Sequence, residues 1–213
     1  MSRRTRTERW YLPTNSILDR QEIVVVDTSV MINLHATKHV VPLLTAFPFA
    51  LAITDVVAGE LLEDRRTGRD DRAVVASLTE AGLLRIVTMG ERAVSVFAGL
   101  VIGPPSDTLD DGEASTLAYA AECNLRPAID ERRALRICQQ RFPALQPVST
   151  IELLLDPIVF DAFGAELLAE AVFQALTEAR MRVPPVWLQR VVALIGIDRA
   201  VLCPSLPAAA RRR

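Results

Sequence analysis

Residues 23–33 read Ile-Val-Val-Val-Asp-Thr-Ser-Val-Met-Ile-Asn, and this stretch decides the fold. Four β-branched residues in a row, without polar alternation, are typical of a strand buried on both faces of a parallel sheet. Asp27 ends the run, and Thr28 and Ser29 are residues that cap a new helix. Ligands of open α/β sheets bind beside the carboxyl ends of the strands. Asp27 is therefore either a functional group at such an end or only a helix cap.

Short apolar strands alternate with helical patterns along the rest of the first 150 residues. We predict strands at 23–26, 49–53, 83–87, 126–130 and 146–150. The last is expected at a sheet edge, because Pro147 has no backbone N–H to donate. Helical spacing after the first strand runs from Val30 to Phe47, with a break predicted at Pro42. The alternation predicts an α/β fold with a doubly wound parallel sheet of about five strands flanked by helices.

Composition indicates a soluble protein of one domain, with 50% hydrophobic and 23% charged residues in 213. No secretory signal and no bilayer-spanning run is visible, so we expect no membrane partner. Three widely spaced cysteines suit reduced thiols, and we expect a cytoplasmic protein. The net charge of −2 hides two basic ends, which are either arms for nucleic acid or solvated tails.

Four carboxylates occupy comparable places in the predicted elements. Asp27 and Asp130 each end an apolar strand, and Glu60 lies on the apolar face of its helix. Glu113 lies in the first turn of another helix, where it also fits a capping box with Asp110. Two carboxylates about 4 Å apart repel by roughly 4 kcal/mol at an effective dielectric of 20. Four acids converging at one sheet end therefore need a cation.

Basic side chains do not provide that cation in the predicted arrangement. Lys38 is the one lysine in the chain and lies far from any strand end, and Arg126 lies at the start of its strand. An oxygen-ligand site for Mg²⁺ or Mn²⁺ resolves the conflict. The missing late lysine also argues against receiver domains and haloacid-dehalogenase phosphatases, which open on a similar strand. His35 and His39 have zinc-like spacing without a third ligand, and no P-loop sequence is present.

Four short segments together resemble the PIN-domain nucleases across residues 23–155. They are Val-Val-Val-Asp27-Thr-Ser, Glu60 in Thr-Asp-Val-Val-Ala-Gly-Glu-Leu-Leu, Asp-Gly-Glu113-Ala-Ser-Thr-Leu-Ala, and Ala-Ile-Asp130-Glu-Arg. The resemblance implies metal-ligand roles for Asp27, Glu60, Glu113 and Asp130, with Ser29 and Thr150 as nearby catalytic hydroxyls. It implies a Mg²⁺- or Mn²⁺-dependent ribonuclease that cleaves RNA with metal-activated water. In many members the protein is the toxin of a type II toxin–antitoxin pair.

Beside this prediction stand two alternatives: a non-catalytic interaction module with the same fold, and a nuclease for DNA or one structured RNA. We divide the chain into a basic lead-in (1–22), the PIN-like domain (23–155), C-terminal helices packed on it (156–205) and a basic tail (206–213). The third part carries apolar segments around Trp187. They serve either as further cover for the sheet or as a surface for a second copy or an antitoxin protein.

Overall fold

A computed structural model describes residues 22–63 and 71–212 of the chain. The lead-in predicted for residues 1–22 lies outside this range apart from Glu22. The strands are β1 (Ile23–Val26), β2 (Ala50–Thr54), β3 (Leu84–Val87) and β4 (Arg126–Ala128). The helices are α1 (Thr28–Ala36), α2 (Val40–Ala46), α3 (Asp55–Glu63), α4 (Asp71–Glu80), α5 (Glu91–Val101), α6 (Asp111–Cys123), α7 (Arg132–Arg141), α8 (Thr150–Leu154), α9 (Pro157–Glu178), α10 (Leu188–Ile195) and α11 (Ile197–Val201).

The described strands form one parallel sheet in the order β3-β2-β1-β4, which confirms the predicted α/β fold. β1 and β2 form the centre, and the three core valines of β1 and all five residues of β2 are buried. This burial on both faces explains why these strands are continuous apolar runs. Because all strands are parallel, their carboxyl ends lie at one edge of the sheet.

Apolar side chains pack on both faces of this sheet. Val24 and Val26 belong to the larger cluster, which also contains residues from α1–α4 and α8–α11. Strand alternation places Val25 on the opposite face, where α6 crosses β1, β2 and β4. A smaller cluster joins α5, α6 and α7 around Leu117 and Ile129. The sheet is thus covered by helices on both sides, as a doubly wound fold requires.

The C-terminal helices extend the larger cluster. Leu168, Val172 and Leu176 of α9 and Val191 of α10 are fully buried in it. α9 is not continuous, because Gly164 has φ 71° and ψ 161° and divides it into two helical parts. A positive φ of this kind is available to glycine without a steric penalty. No helix in the described part of the chain is long and apolar enough to cross a bilayer.

Two details of the predicted elements are wrong. The segment predicted as a fifth strand makes only an isolated bridge between Val148 and Ala128, so the described sheet has four strands. Pro147 cannot donate to a ladder, and Ser149 already begins α8 through a capping box with Glu152. The helical break falls at residues 37–39 instead of Pro42, which lies in the first turn of α2 where proline is tolerated.

Leu34 tests how strongly α1 depends on the larger cluster. Its side chain is fully buried there, so Leu34→Ala should reduce the free energy of unfolding by about 2–5 kcal/mol. Urea denaturation measures the change, and Leu167→Ala is the control because Leu167 is 41% exposed. Equal losses in the two variants would contradict the assignment of α1 to the core.

Candidate active site

A cleft of about 810 Å³ opens where β1 and β4 end and where α3 and α6 approach them. Its walls include all four acids singled out in the sequence, Asp27, Glu60, Glu113 and Asp130. Ser29 also lines the cleft, and Thr150 contacts it through Asp130. The fold therefore brings the predicted residues to one place from four separate parts of the chain.

Asp27 follows β1 directly and is 1% exposed. Its Oδ1 accepts hydrogen bonds from the backbone N–H of Val30 at 2.7 Å and from Ser29 Oγ at 2.9 Å. It is thus the N-cap of α1, as one of the two alternatives predicted. Its Oδ2 is buried and accepts no hydrogen bond from the described residues. Capping uses one oxygen only, so the residue can have both roles.

Asp130 lies two residues beyond β4 and is held by three donors. Thr150 donates its backbone N–H to Oδ1 at 2.8 Å and its hydroxyl to Oδ2 at 2.5 Å. Asn33 donates from Nδ2 to the same Oδ2 at 2.7 Å. These contacts orient the carboxylate between α1 and the start of α8. The hydroxyl of Thr150 therefore positions the acid.

Glu60 is held between two other elements. The hydroxyl of Thr28 donates to its Oε2, and the backbone N–H of Gly112 donates to its Oε1 at 2.7 Å. Gly112 is in the first turn of α6, whose N–H groups lack partners within the helix. A Cβ atom built on Gly112 would lie 2.5 Å from Glu60 Oε2 and 2.7 Å from Thr28 Oγ1. Only glycine fits at this position while Glu60 keeps its place.

Glu113 occupies the first turn of α6 and is half-buried. It accepts a backbone hydrogen bond from Asp110, which is half of the capping box. The other half is missing, because the Asp110 carboxylate pairs with Arg133 at 3.2 Å. Glu113 Oε2 is buried and has no partner among the described residues. The site thus contains two orphaned carboxylate oxygens, on Glu113 and on Asp27.

Burial makes ionisation of these acids unfavourable. Loss of hydration raises the pKa of Asp27 to about 8, and the charges of Asp130 and Glu113 add to the effect. Burial, with the Asp110 charge, raises the pKa of Glu113 to about 7. The pKa of Asp130 is also raised by burial, although its bonds from Thr150 and Asn33 oppose the shift. A positive charge beside these groups would restore their ionised forms.

Arginines are nearer to the cleft than the sequence predicted. Arg133 from α7 pairs with Asp110, and Arg182 after α9 pairs with Glu131 at 3.1 Å. The prediction considered strand ends alone, and neither of these arginines lies at one. Both pairs lie at the cleft rim, and their side chains are 36–82% exposed. The charge of Arg133 opposes the rise in the pKa of Glu113, and the charge of Arg182 opposes that of Asp130. Their ion pairs, however, are with Asp110 and Glu131, and neither arginine is paired with Asp27.

The donor set suits a hard divalent cation. Orphaned, buried carboxylate oxygens are the ligands that Mg²⁺ and Mn²⁺ prefer. In the described part of the chain, no three acidic, histidine or cysteine side chains are arranged to hold one ion as they stand. The hydrogen bonds given above explain this, because Glu60 and Asp130 are engaged by other donors. Asp27 and Glu113 each keep one buried oxygen without a donor, which a cation could occupy. The charge of Asp130 raises the pKa of Asp27 further.

Three contributors were missed in the sequence: Thr28, Asn33 and Gly112. Thr28 was read only as a helix cap, although a hydroxyl at a strand end also faces the ligand site. Asn33 had a detectable signal, because it is a polar residue between Ile32 and Leu34 on an apolar helix and is 5% exposed. Gly112 had none, since the need for glycine arises from the approach of a distant helix.

Asp27→Asn tests the buried charge in metal-free protein. The carboxyl group titrates near 3.9 when unfolded and near 8 when folded. The folded state therefore binds the proton more tightly, and the stability from this group is complete below pH 4 and lost as the pH rises through 8. In EDTA, raising the pH from 5 to 8 should increase the stability of the variant relative to wild type by about 2–4 kcal/mol. Urea denaturation at both pH values measures it.

Asp161→Asn is the control for that measurement, because Asp161 is exposed on α9 and lies outside the cleft. It should follow wild type at both pH values. A stability difference between Asp27→Asn and wild type that is the same at pH 5 and pH 8 would contradict an uncompensated charge at Asp27.

Comparison with known proteins agrees with the fold. A family model described as a PIN domain matches residues 23–196, from β1 to the residue after α10. No curated protein matches the chain. The matched range includes α9 and α10, which lie beyond the segments that carried the resemblance. Since the match covers most of the chain, the protein belongs to the PIN-domain family.

Proposed function

We propose that the protein is a Mg²⁺- or Mn²⁺-dependent ribonuclease that hydrolyses phosphodiester bonds of RNA. PIN domains are generally nucleases and typically use divalent metals, which gives the reaction class. The observation that carries the proposal is the pair of buried, unpartnered oxygens, Asp27 Oδ2 and Glu113 Oε2, in an open cleft. Burying a carboxylate without a partner destabilises a protein, and a cation removes that cost.

The side chains around the cleft have separate tasks in this proposal. Asp27 and Glu113 hold the cation, while Ser29 and the N–H of Val30 fix the orientation of Asp27. A bound Mg²⁺ or Mn²⁺ supplies Lewis acidity, which makes water a nucleophile at neutral pH and neutralises charge on the scissile phosphate. Asp130 is oriented by three donors and would accept the proton that the attacking water loses.

Glu60 would join this set if one of its hydrogen bonds were replaced by a contact to the cation. Its two oxygens now bind Thr28 and Gly112, and both donors lie on the cleft wall. These two bonds hold the carboxylate of Glu60 at the cleft. Cleavage that releases the 3′-oxygen leaves a 5′-phosphate on the other product.

The non-catalytic alternative explains the site less well. A binding module has no need for a buried acid whose pKa is raised by burial and by two neighbouring acids. The toxin role, an antitoxin partner and a homodimer remain predictions, and no contact within the chain bears on them. A short antitoxin-like reading frame beside the gene would support the toxin role.

Cleavage of a 5′-labelled single-stranded RNA tests the proposal. Wild type should cleave it in Mg²⁺ or Mn²⁺ and should be inactive in EDTA. Asp27→Asn and Asp130→Asn should each lower the rate by about a hundredfold or more, since about 2.7 kcal/mol of transition-state stabilisation corresponds to that factor. Asp161→Asn is the matched control and should cleave as wild type does. Cleavage at the wild-type rate by both site variants would end the proposal.

Gly112→Ala tests the position of Glu60. The added Cβ would displace Glu60 and Thr28, so cleavage should fall by about tenfold or more. Gly59→Ala is the matched control. Gly59 lies in α3 directly before Glu60, and a Cβ atom there would meet nothing within 4 Å. It should keep full activity and gain about 0.5–1 kcal/mol of stability. Equal activity of the two variants would show that the Glu60–Gly112 contact is dispensable.

A further inference from the structure

The segment Ala179–Arg182, directly after α9, forms one wall of the cleft. Burial alternates along it: Met181 is 1% exposed and Val183 is 7% exposed, while Arg180 and Arg182 are exposed. The N–H of Met181 donates to the carbonyl of Ala175 at 3.1 Å, which fixes the segment to the helix end. Two arginines are thus held at the cleft by a buried residue between them.

Arg180 has a backbone conformation that favours another residue. Its φ is 54°, in the left-handed region, at the turn that ends α9. Glycine adopts this region without steric cost and is the common residue at such helix ends. The fold would therefore be more stable with glycine here. The backbone conformation therefore does not explain why this residue is an arginine.

The neighbouring arginines are engaged and Arg180 is not. Arg182 pairs with Glu131, and Arg133 pairs with Asp110. Within residues 22–63 and 71–212, no carboxylate or carbonyl accepts a hydrogen bond from the Arg180 guanidinium. Its cation is available to a ligand, whereas the other two are bound to rim carboxylates.

We propose that Arg180 binds a backbone phosphate of the RNA substrate next to the scissile one. This rests on the proposed function and deepens it. The acids of the cleft repel a polyanion, and a cation between them acts on one phosphate only. The RNA on either side of that phosphate is therefore still repelled, and a second positive contact would offset this. A guanidinium matches phosphate geometry with two parallel hydrogen bonds. Arg180 is thus a substrate-positioning residue contributed by the C-terminal helices.

Arg180→Gly and Lys38→Gly form a matched pair that separates binding from folding. Lys38 is also exposed and basic, has φ 64°, and follows α1 at the end remote from the cleft. Each glycine relieves a left-handed non-glycine residue, so both should raise Tm by roughly 2–4 °C. Both also remove one positive charge, so any difference between them reports on the location of the charge.

The probe is a fluorescent single-stranded RNA of about ten nucleotides, bound in EDTA and followed by anisotropy at several salt concentrations. Arg180→Gly should weaken binding about tenfold and lower the slope of log K against log salt by about 0.7, the value for one phosphate on a single strand. Lys38→Gly should keep the wild-type affinity and slope. Arg180→Lys should restore most of the slope, because it restores the charge.

Two failures are distinguishable in this experiment. If wild type neither binds nor cleaves the RNA, the proposed function fails and this inference fails with it. If wild type does both, but Arg180→Gly has the wild-type affinity and salt slope, then the role of Arg180 is overturned and the nuclease proposal stands.

Discussion

The rest of the site depends on the burial of one ionisable group at the end of the central strand. Asp27 is almost wholly removed from water, and only one of its oxygens has hydrogen-bond donors. A carboxylate in this environment is stable only when protonated or when a cation replaces its lost hydration. The parallel sheet produces this environment, because helices pack on both faces of β1 and Asp27 directly follows the strand.

Two of the acids beside Asp27 are fixed by donors from other parts of the chain. Asp130 is oriented by Asn33 of α1 and by Thr150 at the start of α8, and Glu60 is oriented by Gly112 of α6. The carboxylates therefore connect the helices that surround the cleft. The rim arginines form ion pairs with Asp110 and Glu131, and neither is paired with Asp27. The same arrangement brings the acids together and keeps Asp27 from pairing with a basic side chain of the protein.

Much of the fold and site could be predicted because the relevant signals are local. An apolar run that stops at Asp27, and a second one followed by Asp130, identify strand ends without any knowledge of distant contacts. The failures came from competing local chemistry and from distant residues. The segment around Pro147 lost its pairing to a missing N–H and to the capping box that begins α8. Arg182 reaches the cleft because α9 leads the chain back to it. No local sequence pattern predicts the direction of that helix.

The division of α9 at Gly164 makes its second part a spacer of defined length. Residues 165–178 form about four helical turns, or roughly 21 Å, between that bend and the cleft wall. One side of this helix is fixed by Leu168, Val172 and Leu176 in the core. Deletion or insertion of a single residue would rotate its end by about 100° relative to that buried side. The core and the cleft could then not both keep their side chains, so we expect the length of this helical part to vary less than its exposed sequence.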